Sequence, residues 1–419
     1  MERKQWNAIA GQIATPAYVF DLDGLRARTE RIRSALAGRA GICYAIKANP
    51  FLTGPLMGAV DSFELCSPGE VRICERAGAG RERMVVSGVY KEAADLKHFF
   101  ADGGPLPLFT VESERQLALL ADLSGRYGCR MDVLLRVTSG NQFGMDKETV
   151  KGILRRQKLY PQLNFLGLQQ YAGTQKKTAE RIVRGLEKFA AFAAELEQEE
   201  GCRVQCLEFG PGAPVNYFHT DHYPGEEEIL SALAACLDRL PFEERVVLEM
   251  GRFLAAECGV YLTRIVDVKE NDGQKYCIVD GGIHQLNYYG QALGMRIPEI
   301  LRLSGEDDGS AGQWTICGAL CTVNDVLVRG YEAGELRPGE LLAFLRAGAY
   351  GVSEGSALFL SRDLPAVYFY EERTGLRLVR GRTATDPLNS PAAVPVIGAM
   401  TGTDALARRT GVNDVVVEQ

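Results

Sequence analysis

The chain lacks a surplus of positive charge. Its 419 residues carry 47 Lys and Arg against 54 Asp and Glu, a net charge of -7. That argues against a general nucleic-acid partner or an anionic-membrane partner. It also lacks metal-ligand spacing. The 11 cysteines are odd in number and scattered, and although Cys202 and Cys206 stand close together, no second pair or His cluster completes a zinc site. The opening stretch, MERKQWNAIAGQIATPAYVF, has no apolar run long enough for a signal peptide or a membrane span. Cytoplasmic localisation with reduced thiols is therefore expected. No repeat or low-complexity domain is visible. What remains is 46% hydrophobic and 24% charged residues, ordinary for a globular protein with a core large enough to need no staple.

The pattern along the chain is more specific. Eight short apolar runs read as strands: Ile42–Ile46, Ser62–Leu65, Met84–Ser87, Leu106–Val111, Met131–Val137, Asn164–Tyr171, Val204–Phe209 and Arg245–Glu249. Between them lie stretches of helical spacing such as Pro68–Ala77, Glu112–Arg126 and Lys177–Glu199, and Ser67 with Glu70, or Ser113 with Gln116, has the form of a capping box. Near-continuous apolar strands suit a parallel sheet buried on both faces. Eightfold alternation predicts an α/β fold, a (β/α)8 TIM barrel, over residues 23–254. From 255 to 385 the texture changes to strands such as Tyr261–Val268, Lys275–Asp280, Trp314–Cys317, Leu341–Leu345 and Ala366–Tyr370 with turn-rich links, a C-terminal β domain. Residues 1–22, through Pro16–Phe20, are expected to add a strand to it. The tail, 386–419, is assigned no fold.

Active sites of such barrels sit at the carboxyl ends of the strands. Lys47 follows the first strand, and a lysine partly desolvated there, with its pKa lowered by burial, suits imine chemistry. A solvated strand-end lysine fits the residues equally. Tyr171 and Thr174 follow the sixth strand, where a ring could stack on a flat cofactor and a hydroxyl could meet phosphate. The turn Gly210-Pro211-Gly212 follows the seventh and can bring backbone N–H groups to an anion. Glu249, Gly251 and Arg252 follow the eighth, and this acid and guanidinium could also simply pair with each other.

Taken in order, Tyr44–Pro50, Phe143–Met145, Glu249–Arg252, Cys321 and Gly348–Tyr350 resemble the fold-type III pyridoxal-phosphate decarboxylases, the diaminopimelate, ornithine and arginine decarboxylases. The resemblance runs from about residue 14 to 370 and implies an alanine-racemase-like barrel plus β domain. It implies that Lys47 carries pyridoxal 5'-phosphate as a Schiff base and that Glu249 pairs with the ring nitrogen. It implies phosphate contacts from the turn Gly210–Gly212, Arg252 and Tyr350, a place near the cofactor for Glu64 and Arg136, and Tyr171 at the ring-stacking position; Thr174 and Gly251 are cofactor-binding candidates beside them. Cys321, from the partner subunit of a head-to-tail homodimer, would protonate the carbanion left by carbon dioxide. A carboxylate about 4 Å from a cation, at an effective dielectric near 20, is worth roughly 4 kcal/mol or about 3 pKa units, ample to keep a ring nitrogen protonated. A racemase would be expected to place an arginine there, so Glu249 favours decarboxylation.

This sequence departs from the family pattern in several places. Pro211 replaces a glycine, Tyr171 a histidine, and Met250 a proline. Thr322 stands where the relatives hold an acid for a distal amine, and Tyr288 where diaminopimelate enzymes hold an arginine. Neither diaminopimelate nor ornithine is the expected substrate. An amino-acid-type substrate with an uncharged or masked side-chain end, free or bound to a carrier protein, is expected instead. Thr322, Asp325, His284 and Tyr288 are the candidate contacts. The alternatives are a racemase or epimerase on the same fold, a catalytically inactive cofactor-binding homologue, or an unrelated barrel enzyme.

Overall fold

The computed structural model describes residues 3–240, 242, 244–304 and 312–391. Its first strand, β1 (Ala17–Asp21), does not enter the barrel. The next eight do: β2 (Gly41–Ala45), β3 (Ser62–Leu65), β4 (Met84–Val86), β5 (Leu108–Val111), β6 (Met131–Arg136), β7 (Leu163–Tyr171), β8 (Cys206–Gly210) and β9 (Arg245–Met250). They close in chain order into one parallel barrel, as the alternation of apolar runs and helical stretches predicts. β2 closes the ring against β9 with Cys43 opposite Glu249. Inside, Cys43, Val85, Leu134, Cys206 and Val247 form an apolar layer. Above it, toward the carboxyl ends, the interior turns polar.

Helices are set by their first residues. Ser67 accepts from Glu70 N (3.2 Å) to start the helix Pro68–Arg76, and the Glu70 carboxylate reaches back to Cys66 N (2.5 Å). Ser113 does the same for Glu114–Tyr127, with Gln116 reaching back to Glu112 N (3.1 Å). Each reciprocal pair satisfies one orphan donor of the helix end and the N–H of the residue before its N-cap, a variant of the capping box. The second helix begins two residues later than its spacing suggests, so Glu112 belongs to the barrel mouth and not to the helix.

The second sheet comprises β1, β10 (Gly259–Asn271), β11 (Gln274–Val279), β12 (Ile300–Arg302), β13 (Gly312–Cys317), β14 (Val326–Ala333), β15 (Leu341–Phe344), β16 (Ala366–Glu371) and β17 (Gly375–Arg380). Its main path runs β14-β13-β11-β10-β1-β16-β17, and β15 joins β10 to β12. β1 lies antiparallel to β10 and parallel to β16. β12, β14 and β17 escape the sequence reading: β12 is three residues long, the apolar start of β14 is broken by Gly330 at φ +72°, and β17 has no buried residue. Of the expected tail, Asp386–Asn389 forms one short helix. Its residues 392–419 lie outside the described residues. Among the described residues no helix is long and apolar enough to cross a membrane.

Candidate active site

The lysine turn is fixed from both domains. β2 runs into a tight turn, Ile46–Ala48. Tyr44 donates to Asn49 O (3.0 Å), and Asn49 donates to Gly348 O (2.8 Å). Tyr350 N donates to Ala48 O (2.6 Å), with Tyr350 in the left-handed region at φ +65°. Gly348 must be glycine here, because a Cβ would lie 1.9 Å from Ala255 O. A loop of the β domain thus clamps the strand end that carries Lys47.

Lys47 Nζ donates to Glu64 Oε2 (2.7 Å) on β3 and lies 3.5 Å from Glu249 Oε1 on β9 and 3.9 Å from Cys66 Sγ. The side chain is 40% exposed because it faces the mouth cavity, while Glu64 and Glu249 are nearly inaccessible. Burial opposes the charge on Lys47, but Glu64 and then Glu249 more than offset it, and the amine is held well above the usual lysine range. This corrects the expectation of a lowered pKa, since two carboxylates from neighbouring strands outweigh desolvation. Burial acts on both acids too. Around Glu64 it is overcome by Lys47 and by the Cys66 thiol, which donates to Oε1 (2.9 Å), and the carboxylate is held low. Glu249 is pushed up, first by burial and then by Glu64, although Gln169 Nε2 donates to its Oε2 (3.0 Å).

Lys47, Tyr171, Thr174, Gly212, Glu249, Gly251, Arg252 and Tyr350 line one cavity. The ring of Tyr171 lies on the glycine turn, where a Cβ on Gly210 would sit 2.3 Å from it. Gly212 has φ +64°, and a Cβ there would meet Gly173 O at 1.9 Å. Arg252 packs over the rings of Tyr350 (4.4 Å), Tyr289 (5.0 Å) and Tyr217 (5.5 Å) and donates to Tyr217 Oη (2.8 Å). It does not pair with Glu249. Its buried Nε has no protein acceptor among the described residues, a defect worth about 1–3 kcal/mol that an anionic oxygen would relieve. Arg136 stands one step away, paired with Glu112 (2.7 Å) under the ring of Phe143. An amine, a buried acid, a cradle that excludes side chains and a guanidinium short of an acceptor fit a flat phosphorylated aldehyde.

Of the β-domain candidates Tyr350 lines this cavity, whereas Cys321 and the substrate candidates Thr322, Asp325, His284 and Tyr288 do not. Asp325 accepts from Ile283 N (2.9 Å) and Leu320 N (2.7 Å). Tyr288 donates to Leu345 O (2.5 Å) and packs against Tyr217 and Phe218. His284 is buried, and neither ring nitrogen has a protein partner among the described residues. Thr322 accepts from Asn324 N (3.3 Å), and Cys321 is exposed.

Sequence reading missed Cys66, Glu112, Gln169 and Tyr217. Period-two alternation along a strand could have found two of them: Cys66 is two residues past Glu64, and Gln169 two before Tyr171. Glu112 was hidden by the late helix start. For Tyr217, in an irregular loop after β8, no local signal existed.

The stretch 22–256 matches the family model for the pyridoxal binding domain of pyridoxal-dependent decarboxylases. The chain is 30% identical to the diaminopimelate decarboxylase of Deinococcus radiodurans, over 90% of this chain and 96% of that one. It is 24% identical to the L-glutamyl-[BtrI acyl-carrier protein] decarboxylase of Niallia circulans, over 93% and 96%. The solved diaminopimelate decarboxylase of M. jannaschii, in complex with L-lysine, shares its fold at a TM-score of 0.82 and 22% identity, covering 93% of this chain and 94% of that one.

Proposed function

The chain belongs to the pyridoxal-dependent decarboxylase family, and from that premise we propose that it removes carbon dioxide from an amino-acid-type substrate at the Lys47 cavity. The observation that carries this is the amine of Lys47 lying between Glu64 and Glu249 on three neighbouring strand ends. Bound there, pyridoxal 5'-phosphate supplies an electron sink for the bond that releases carbon dioxide.

The residues divide the remaining work. Lys47 is the covalent anchor. Glu249, the acid pushed upward by burial, gains most from a cation set beside it and holds a proton on the ring nitrogen. Gly212, Gly251, Arg252 and Tyr350 receive the phosphate, and the Arg252 guanidinium is already oriented by three tyrosine rings. Cys321 delivers the proton that replaces carbon dioxide. Its exposure, away from the cavity of its own chain, supports delivery across a homodimer to the partner's site.

Substrate choice follows from what the candidate contacts already do. The Tyr288 hydroxyl is spent on Leu345 O, and Thr322 carries no charge. Diaminopimelate and ornithine, each with a charged distal amine, therefore fit poorly. A substrate with a masked side-chain end fits better, including one borne by a carrier protein as the name of the Niallia relative describes for that protein. The test is carbon dioxide release by purified protein from a panel of amino acids, free and carrier-bound, with Lys47→Ala as control. Release from none of them, or turnover of diaminopimelate above all others, overturns the reading. Inversion of the α-carbon without loss of mass would point to a racemase.

A further inference from the structure

A second lysine stands at the same mouth. Lys91 lies in the loop after β4, and this loop packs on the end of β3. Gly88, at φ +97°, comes so close that a Cβ would lie 2.9 Å from Cys66 O, and Cys66 Sγ is 3.9 Å from Lys47 Nζ. Lys91 Nζ donates to Gly88 O (2.8 Å) and to Gln116 Oε1 (3.1 Å). Both acceptors are neutral. The Gln116 amide clamps the loop by donating to Gly88 O (3.2 Å) and Val89 O (3.0 Å).

The nearby acids are engaged elsewhere, Glu112 by Arg136 (2.7 Å) and Glu64 by Lys47 (2.7 Å). Among the described residues no carboxylate pairs with Lys91. An ammonium has three N–H donors, and the fold occupies two. A half-buried ammonium without a counter-ion carries a desolvation cost. In keeping with this, burial pushes Lys91 down to about 8, against Glu112, Cys66 and Glu64, with Arg136 adding to the fall.

We infer that Lys91 is a specificity residue whose free N–H receives the oxygen-bearing end of the substrate side chain, a carboxylate or its acyl derivative. This rests on the decarboxylase reading and names its substrate class. It accords with Thr322, which offers no charge to a distal amine. A side chain ending in an amine would leave Lys91 unpaired and set two cations together. One ending in a carboxylate or acyl carbonyl supplies the acceptor the fold withholds. Sites with a committed polar group reject analogues that leave it unmatched.

The test uses holoenzyme and calorimetry, with glutarate, glutaramide and 1,5-diaminopentane as probes that carry no α-amino acid group. Glutarate should bind at least about tenfold more tightly than the diamine, Lys91→Gln should remove that preference, and Lys91→Arg should keep most of it. Glutaramide binding that depends on Lys91 extends the class to acyl ends, and its absence confines it to free carboxylates. Because Lys91→Gln could disturb the loop, trace acetylation of the native enzyme, read by peptide mass spectrometry, gives a second measure: saturating glutarate should slow labelling of Lys91 and spare distant lysines. Equal glutarate binding by the native enzyme and Lys91→Gln, or unprotected Lys91, overturns the inference. If glutarate binding depends on Lys91 but no amino acid releases carbon dioxide, the inference stands and the decarboxylase reading falls. If lysine or ornithine is decarboxylated faster than glutamate and its acyl derivatives, the decarboxylase reading stands and this one falls.

Discussion

The barrel mouth and the outer loops of the β domain use polar side chains in opposite ways. At the mouth, side chains hold one another: Lys47 with Glu64, Glu249 with Gln169, Arg136 with Glu112. In the β-domain loops, side chains hold backbone: Asp325 with two N–H groups, Tyr288 with a carbonyl. Strand register explains the first pattern. Glu64 sits opposite Ala45 and Glu249 opposite Cys43, so closing the barrel brings both acids to the strand end that carries the lysine. The β-domain loops have no such ladder and must use polar side chains to fix their own course. A candidate on a strand end is therefore free for chemistry, while one on a long loop is often consumed by the loop. Cys321 is the exception, since Asp325 secures its turn and leaves it exposed, whereas the Thr322 hydroxyl accepts from Asn324 N.

The comparison breaks most sharply at Lys47. Lys47→Ala should lower carbon dioxide release by at least about 10³-fold, as loss of a covalent catalyst does, and should remove the visible absorbance of bound cofactor. Retained activity would mean that the convergence at the mouth is only an ion-pair network.

Cys321→Ala should be the mirror case on the other side. The residue is exposed, so unfolding temperature and cofactor absorbance should not change, while turnover falls by about 10²-fold as for a lost general acid. Mixing subunits that carry Lys47→Ala with subunits that carry Cys321→Ala should restore part of the activity, because one of the two sites then holds both native residues. Failure of every mixture to recover any activity would place both groups on one chain.

Most of the fold was legible because each of its signals was local. Eight apolar runs and two capping boxes are properties of short windows, and the barrel follows from them. At the mouth, Lys47, Glu249 and Arg252 were legible from position alone, being the side chains just past strand ends. Lys91 and Tyr217 were not, since they reach the site through loops whose course depends on distant partners, Gln116 for one and Arg252 for the other. The direction of the Lys47 shift was likewise hidden. It depends on two acids 17 and 202 residues away in sequence, and only their separation in space says that their charge outweighs burial.

A smaller effect is expected at Asp325. Asp325→Ala leaves the N–H groups of Ile283 and Leu320 without their acceptor, and should cost about 2–3 kcal/mol of stability, seen in denaturant unfolding. Because the same turn presents Cys321, turnover should fall too, whereas cofactor absorbance should persist. Loss of absorbance would show that the loop supports the mouth and that the two regions are not independent.

The last difference lies in how the two regions answer pH. Glu64 has its pKa lowered by Lys47 against the pull of burial, so its share of stability is present above the ordinary carboxylate range and is lost only as pH falls through its depressed folded value. His284 responds earlier. Burial first, then Arg362, lowers it from 6.5 to about 4, and it is only 2% exposed. Between those values the unfolded chain binds a proton that the folded chain does not, so stability should fall as pH drops from about 6.5 to about 4, by up to about 3 kcal/mol. His284→Phe removes the titrating group from a buried site. The variant should match or slightly exceed the native protein near pH 8 and unfold at clearly higher denaturant near pH 5. Parallel stability curves for the two proteins across that window would mean that His284 is solvated or paired in the folded state. The β-domain loop would then have a polar partner in solution, and the contrast with the mouth would narrow to Asp325 and Tyr288.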